Sequence, residues 1–296
     1  MKIVVLGSGN YDAAEGNFHT NFAIEENGRY LLVDCGSDIR HSLRYSNIDV
    51  DQIDAVYISH LHADHCGGLE WLAYKTFFSG RKIKLFMSAW FEDDFWLGTL
   101  YNGMKVLSGE KAADGADHYF DTNFVSDRHF NWEGLHFELM CCDHIVGKGN
   151  IHPSYGIVAR GKGYDKSVFF TTDMQFVGNE RTNIDVWMAY NAVDLIFQDC
   201  ETYYDDNGTP IRSGVHAHFS DLRTLPSEIK SKMKLVHYGY FTNFGGVINL
   251  GWFNKHGLSD FNNRRGCAFV AAGQIFEPYF NSEVVAQKKV LDLETF

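Results

Sequence analysis

Only 4 prolines punctuate the 296 residues, and nowhere do they combine with serine or glycine into a linker, a low-complexity tract or an internal repeat. The usual marks of a domain boundary are missing, so one domain is expected over residues 1–296. Also missing is any run of about 18 apolar residues, so no spanning helix and no membrane partner are expected. The first strand follows Met1 without the apolar stretch and cleavage site of a secretory signal, which makes the cytoplasm the expected location. Cations are scarce: 26 Lys and Arg face 38 Asp and Glu, a net charge of −12. That balance argues against stable nucleic-acid binding, because neutralising a phosphate backbone takes clustered Lys and Arg. The cysteines Cys35, Cys66, Cys141, Cys142, Cys200 and Cys267 form no C-x-x-C pair and are too sparse for a disulfide scaffold. They read as buried thiols, with Cys66 either packed under a helix or, beside His65, supporting the neighbouring histidines and Asp64.

What is plentiful is apolar and aromatic material, 45% and 15% of the chain, enough for a large core. Chemistry concentrates in one stretch, Val56 to Leu69. A short buried strand from Ala55 to Ser59 breaks into His60, His62, Asp64 and His65 before Gly67 and Gly68 lead into a helix. Neutral imidazoles beside a hard carboxylate are the donor set that a borderline cation such as zinc selects. The run His60-Leu61-His62-Ala63-Asp64-His65 resembles the signature of the metallo-β-lactamase-fold hydrolases. The resemblance extends from the opening strand to roughly Pro278. It implies a four-layer αββα sandwich of two mixed sheets flanked by helices, with His60 and His62 on one metal and Asp64 and His65 on a second.

Along the chain, Ile3–Leu6 is a strand ending in Gly7-Ser8-Gly9. A dinucleotide fingerprint is rejected, since Asp12 stands where its third glycine belongs. Phe22–Glu25 and Tyr30–Val33 pair through an Asn27-Gly28 turn. The Asp34-Cys35-Gly36 that follows lies, in the resembled family, beneath the metals, where Asp34 orients a ligand. Between about 88 and 130 an aromatic-rich helical insertion is expected. Trp90, Phe91, Phe95, Trp96, Leu97, Leu100, Tyr101 and Met104 recur at helical spacing, as a core helix, a lid or a homodimer surface.

Three later strands each run into a candidate ligand: Leu135–Cys142 into His144, Val168–Thr172 into Asp173, and Met233–Val236 into His237. By the family's order His144 completes the first metal's trio, Asp173 bridges both ions, and His237 joins Asp64 and His65. Two divalent ions are implied, zinc first, with manganese or iron as alternatives. Seven ligands leave both shells open for a bridging hydroxide, a nucleophile near neutral pH that implicates Asp64 and the metals directly in catalysis.

For substrate, the stretch Ser213–Leu222 places His216 and His218 21 and 19 positions before His237. This is similar to the phosphodiesterase branch of the fold, which includes transfer-RNA 3′-end ribonucleases, where a histidine some twenty residues before the last ligand is the general acid. Either His216 or His218 could serve, since both project from one face of an extended segment, and Asp199 or Glu201 could hold the ring. A substrate-gripping arm is ruled out by the 28 residues separating His144 from Asp173, and a cap domain by the 63 between Asp173 and His237. A small phosphodiester such as a cyclic nucleotide is therefore the expected substrate. The alternatives are a thioesterase- or lactonase-type carbonyl hydrolase and a ribonuclease Z-like nuclease.

Overall fold

The structure, a computed structural model, describes residues 1–13, 17–106, 111–147, 149, 151–161, 166–205, 207–239, 258, 261, 269–270 and 272–276; Cys267 and the expected limit at Pro278 lie outside them. Six strands build the first sheet in chain order: β1 (Lys2–Gly7), β2 (Asn21–Glu26), β3 (Arg29–Val33), β4 (Ile53–Ile58), β5 (Ile83–Ser88) and β6 (Phe120–Val125). The second sheet runs through β7 (His129–Trp132), β8 (Leu135–Val146), β9 (Ile151–Gly161), β10 (Ser167–Phe170), β11 (Leu195–Asp199) and β12 (Met233–Val236). A short β13 (Ile275–Phe276) closes the free edge of the first sheet beside β1. Each sheet is antiparallel in one half and parallel in the other: β3 to β6 are parallel neighbours, as are β10 to β12.

Strand alternation sorts the apolar side chains into layers. In β1, Ile3 and Val5 face the second sheet while Val4 and Leu6 face helices; in β4, Ala55 and Tyr57 separate from Val56 and Ile58 in the same way. The layer between the sheets is largely aromatic. Phe170 stacks on Phe197 at 5.3 Å and meets Phe22 edge-on at 4.9 Å, all three buried. Outside the first sheet lie the helices Ile39–Tyr45 and Leu69–Phe78, and outside the second lies Ile184–Ala192. The result is the αββα sandwich. Phe170→Ala should cost about 3–5 kcal/mol, because the vacated space between two sheets cannot collapse. Calorimetry should show a fall of about 5–8 °C in Tm.

Three expectations about local structure need correction. The helical part of the 88–130 region ends at Met104, and Phe120–Val125 and His129–Trp132 are strands β6 and β7 that extend the two sheets. Phe120–Val125 is rich in β-branched and aromatic residues around a polar Asp121-Thr122-Asn123 centre, which suits an edge strand better than a helix. The aromatic stretch is not one regular helix either: short turns at Ala89–Phe91 and Glu92–Asp94 lead into a π-helix, Phe95–Leu100. Phe91, Phe95, Trp96, Leu100 and Met104 join the core, while Trp90 and Leu97 stay exposed. Finally, β8 does not stop before His144. Its pairing with β9 slips between Cys142↔Ser154 and Ile145↔His152, so Asp143 and His144 together oppose Pro153. Proline has no N–H for the ladder, and the resulting bulge turns His144 inward.

Candidate metal centre

The parallel strands deliver their C-terminal ends to one edge, where the chain must turn sharply. Asp34, Thr172 and His237, just past β3, β10 and β12, all adopt left-handed backbone conformations, with φ of 64°, 53° and 59°. Non-glycine residues pay roughly 1–3 kcal/mol each for such geometry and keep it where surrounding structure enforces it, typically at functional sites.

Three overlapping groups of possible ligands share Asp173: two of them, seven side chains in all, form a pair of nests, and the third joins Asp173 and His237 to Asp199 and His216. In the first, Nε2 of His60 lies 3.0 Å from Nδ1 of His62, which lies 3.3 Å from Nε2 of His144. Asp173 Oδ2 stands 3.7 Å from His60 and 3.6 Å from His144. In the second, Asp173 Oδ1 is 3.1 Å from Nε2 of His65 and 3.2 Å from Nε2 of His237, and Asp64 Oδ2 lies 3.5 and 3.4 Å from the same nitrogens. One carboxylate thus presents a different oxygen to each nest. Donors around a tetrahedral ion with metal–nitrogen bonds of about 2.0–2.1 Å stand roughly 3.3 Å apart, so both nests have the span a metal requires. His65 Nε2 and Asp173 Oδ1 are buried and make no hydrogen bond despite their proximity, the relation expected of two ligands to one ion. The chain holds a metal-binding cluster.

The outer nitrogens are fixed. Asp34 accepts from Ser59 N (2.8 Å) and Ser59 Oγ (2.9 Å) and lies 2.7 Å from His65 Nδ1, so it aims the opposite nitrogen into the second nest. His144 Nδ1 donates to the Val215 carbonyl at 3.0 Å, and His60 Nδ1 meets Ser59 Oγ at 3.0 Å. A Cβ on Gly36 would fall 2.2 Å from the Asp64 carbonyl oxygen, so only glycine lets the turn after Asp34 press against the ligand helix. Asp34→Asn should weaken metal binding about 10–100-fold, read by competition with a chromophoric chelator.

Burial lowers the pKa of His60, His62 and His144, that of His62 to about 4, which keeps these rings neutral and ready to ligate. In the second nest burial acts the same way on His65 and His237, but the carboxylates of Asp173, Asp64, Asp34 and Asp199 outweigh it and raise both, His237 to about 10. The nest draws in positive charge; a divalent cation satisfies the same field, and binding it requires the rings to release protons. Cys66 is not part of this chemistry: burial pushes its thiol up to about 12, and it packs in the core.

At the nests opens a cavity of about 510 Å³, lined by His62, Asp64, His144, Asp173, His216 and His237 together with Asn10, Tyr11, Glu201 and Tyr203. His216 reaches it with Nδ1 held by the buried Asp199 at 2.9 Å. Burial would lower the pKa of His216, yet Asp199 and Asp173 raise it overall. Asp199 also comes within 3.4 Å of His237 Nδ1. Glu201 does not touch His216, since both its oxygens accept from Ser213 N at 3.0 Å.

The expectation that His216 and His218 both point into the site is corrected. The chain bends at Gly214, with φ +82°, and is not extended. His218 is buried at the N-cap of the helix Phe219–Leu222, where Nδ1 accepts from Ser220 N at 3.1 Å and Nε2 donates to the Tyr203 carbonyl at 2.9 Å. Pro226 caps the next helix, Ser227–Lys230. Sequence reasoning missed His152, whose ring stacks on His62 at 5.0 Å, and it missed Asn10, Tyr11 and Tyr203. The one available signal was that Asn10 follows a strand-end glycine turn, the kind of place where loops meet a site.

Comparison with known proteins adds the family. The model of the family described as Anti-Pycsar protein Apyc1 matches residues 1–243. A protein of that name from Paenibacillus harenae is 31% identical over 242 residues, covering 81% of this chain and 90% of the relative. Another from Bacillus phage 010DV004 is 28% identical over 257 residues, covering 83% and 93%. Among solved structures, a metallo-beta-lactamase fold protein from Bacillus subtilis superposes with a TM-score of 0.66 at 16% identity, covering 93% of this chain and 98% of that one. The short form of human tRNase Z gives 0.62 at 15%, covering 94% and 99%. Unliganded yeast PDE1 gives 0.66 at 10%, covering 92% and 98%. These likenesses establish the metallo-beta-lactamase fold.

Proposed function

The chain belongs to the Anti-Pycsar protein Apyc1 family, and from that premise we propose that it is a metal-dependent phosphodiesterase hydrolysing small cyclic nucleotides. The observation that carries the reading is the pairing of two nests sharing Asp173 with a histidine on the cavity wall backed by a buried carboxylate. We assign His60, His62, His144 and Asp173 to one divalent ion and Asp64, His65, Asp173 and His237 to a second. The nitrogen-rich donor sets favour zinc, with manganese or iron as substitutes. When bound, such ions supply an activated water and neutralise charge developing on the phosphoryl oxygens.

The chain's own residues do the rest. Asp173, buried among histidines, fixes the spacing of the two nests. Asp199 keeps the His216 proton on Nδ1 and favours the charged ring, so that Nε2–H can protonate the departing ribose oxygen. A carbonyl hydrolase has less need of such a donor. We also propose a single domain, supported by one apolar layer shared between both sheets, and a homodimer, supported by the exposed Trp90 and Leu97. Free thiols at Cys35, Cys66, Cys141, Cys142 and Cys200 support a reducing, cytoplasmic location.

The test is a substrate panel with metal-loaded protein: cyclic mononucleotides, bis(p-nitrophenyl) phosphate, a thioester and a lactam. Turnover of at least one cyclic nucleotide is expected. Rapid thioester or lactam cleavage without diesterase activity would replace this reading with carbonyl hydrolysis.

A further inference from the structure

The cavity is lined by more than the nests and His216: Asn10, Tyr11 and Tyr203 also line it and have no role in metal binding or proton donation. We propose that Asn10, Tyr11 and Tyr203 form the subsite for the base of a cyclic mononucleotide, Tyr203 donating its hydroxyl proton to an acceptor on the base edge and Tyr11 offering a ring face for stacking. The inference rests on the phosphodiesterase reading and concerns which part of the substrate the wall selects.

Charge orients the substrate first. Among the described residues no Lys or Arg lines the cavity, so the phosphate must face the metal nests and His216, and the uncharged Asn10, Tyr11 and Tyr203 suit a neutral group. Glu201, 5% exposed, also lines the cavity with both carboxyl oxygens on Ser213 N, and offers a phosphate no positive partner. A substrate with one charged end and one neutral, polar end fits.

Hydrogen-bond direction then identifies the edge recognised. Asn10 Nδ2 donates to Tyr203 Oη at 2.9 Å, while Asn10 Oδ1 accepts from Asp12 N at 3.0 Å, which fixes the amide's orientation. With its oxygen accepting from Asn10, the Tyr203 hydroxyl keeps its proton to give, and among the described residues no acceptor takes it. The phenol is also held tightly. A Cβ on Gly239 would lie 2.0 Å from Tyr203 Oη and 2.8 Å from Asn10 Nδ2, so the backbone closes against the pair. The Tyr203 carbonyl accepts from Ile211 N at 2.9 Å and from the buried His218 at 2.9 Å. His218 thereby braces the wall that carries Tyr203. A neutral donor pinned on three sides suits a carbonyl oxygen or ring nitrogen, which every nucleobase presents. Tyr11, 74% exposed at the rim, adds an aromatic face that accepts any base.

Kinetics of wild type, Tyr203→Phe and Tyr11→Ala on a cyclic nucleotide and on bis(p-nitrophenyl) phosphate, which has no base, test this. Metal content and Tm are measured on each protein. Tyr203→Phe should lower the ratio of the two kcat/KM values about threefold to tenfold, the worth of one neutral hydrogen bond, mainly through KM for the nucleotide. Tyr11→Ala should lower it by about fivefold or more, the worth of one stacked base, and its exposure keeps it informative should Tyr203→Phe fold poorly. An unchanged ratio in both variants, or equal losses on the two substrates, overturns the base subsite while leaving diester hydrolysis intact. A wild type that cleaves neither substrate overturns the phosphodiesterase reading itself, and this inference with it.

Discussion

In Asp173→Ala, diester hydrolysis is expected to fall by at least about 10³-fold, and metal content from about two ions per chain to one or none. The carboxylate gives one oxygen to each nest, so its loss removes a ligand from both. It also takes from His65 and His237, 3.1 and 3.2 Å from its Oδ1, one of the buried carboxylates that balance them. Asp173→Asn keeps the shape and one carbonyl oxygen but removes the negative charge and the second oxygen, and should fall between alanine and wild type. Elemental analysis of the purified variants checks the metal content, and steady-state rates on one diester check the loss of activity. Full occupancy with two ions in Asp173→Ala would show that the nests do not share this ligand.

His216→Ala should slow hydrolysis of a diester with a poor, alkoxide leaving group by about 10²–10⁴-fold, the usual worth of a general acid. The loss should be far smaller on a nitrophenolate ester, which departs without protonation. This differential is the diagnostic. His216 stands 4.0 Å from Asp173 and its ring is 4.8 Å from that of His237, so metal content must be verified before the rate is interpreted. His218→Ala provides the contrast: the loss of a buried cap should cost about 1–2 kcal/mol of stability, with no dependence on the leaving group. Equal losses on both esters in His216→Ala would mean that it positions substrate instead.

How much of this was legible depended on how far apart in sequence the contacts lie. His60, His62, Asp64 and His65 sit within six positions, and the turn between β4 and the following helix is enough to bring them together. His144, Asp173 and His237 were legible because each follows or ends an apolar strand and falls in the ligand order of the family that the signature resembles. The reason His144 turns inward was hidden, since it lies in a register shift opposite Pro153 that no pattern along one strand reveals. His218 was misread because equal-facing residues two apart presuppose an extended chain, and the turn at Gly214 followed by an N-cap breaks that premise. The choice between Asp199 and Glu201 could not be made from spacing: both flank the end of β11, and only the Ser213 amide, which occupies Glu201, leaves His216 to Asp199. The Asn10–Tyr203 contact spans 193 residues and leaves no local trace. Strands β6 and β7 were absorbed into an expected helical insertion because the aromatic spacing before them was extended past Met104, where it stops.

Phosphoryl chemistry at these nests is tested most directly by following a cyclic nucleotide with phosphorus NMR in ¹⁸O-labelled water, with the chain first stripped by chelator and then reloaded with zinc or manganese. The reloaded protein should open the ring to a linear monoester carrying one ¹⁸O on phosphorus, and the stripped protein should be inactive. An intact ring after prolonged incubation with the reloaded protein, or ring opening at full rate without metal, would contradict metal-dependent diester hydrolysis at this site.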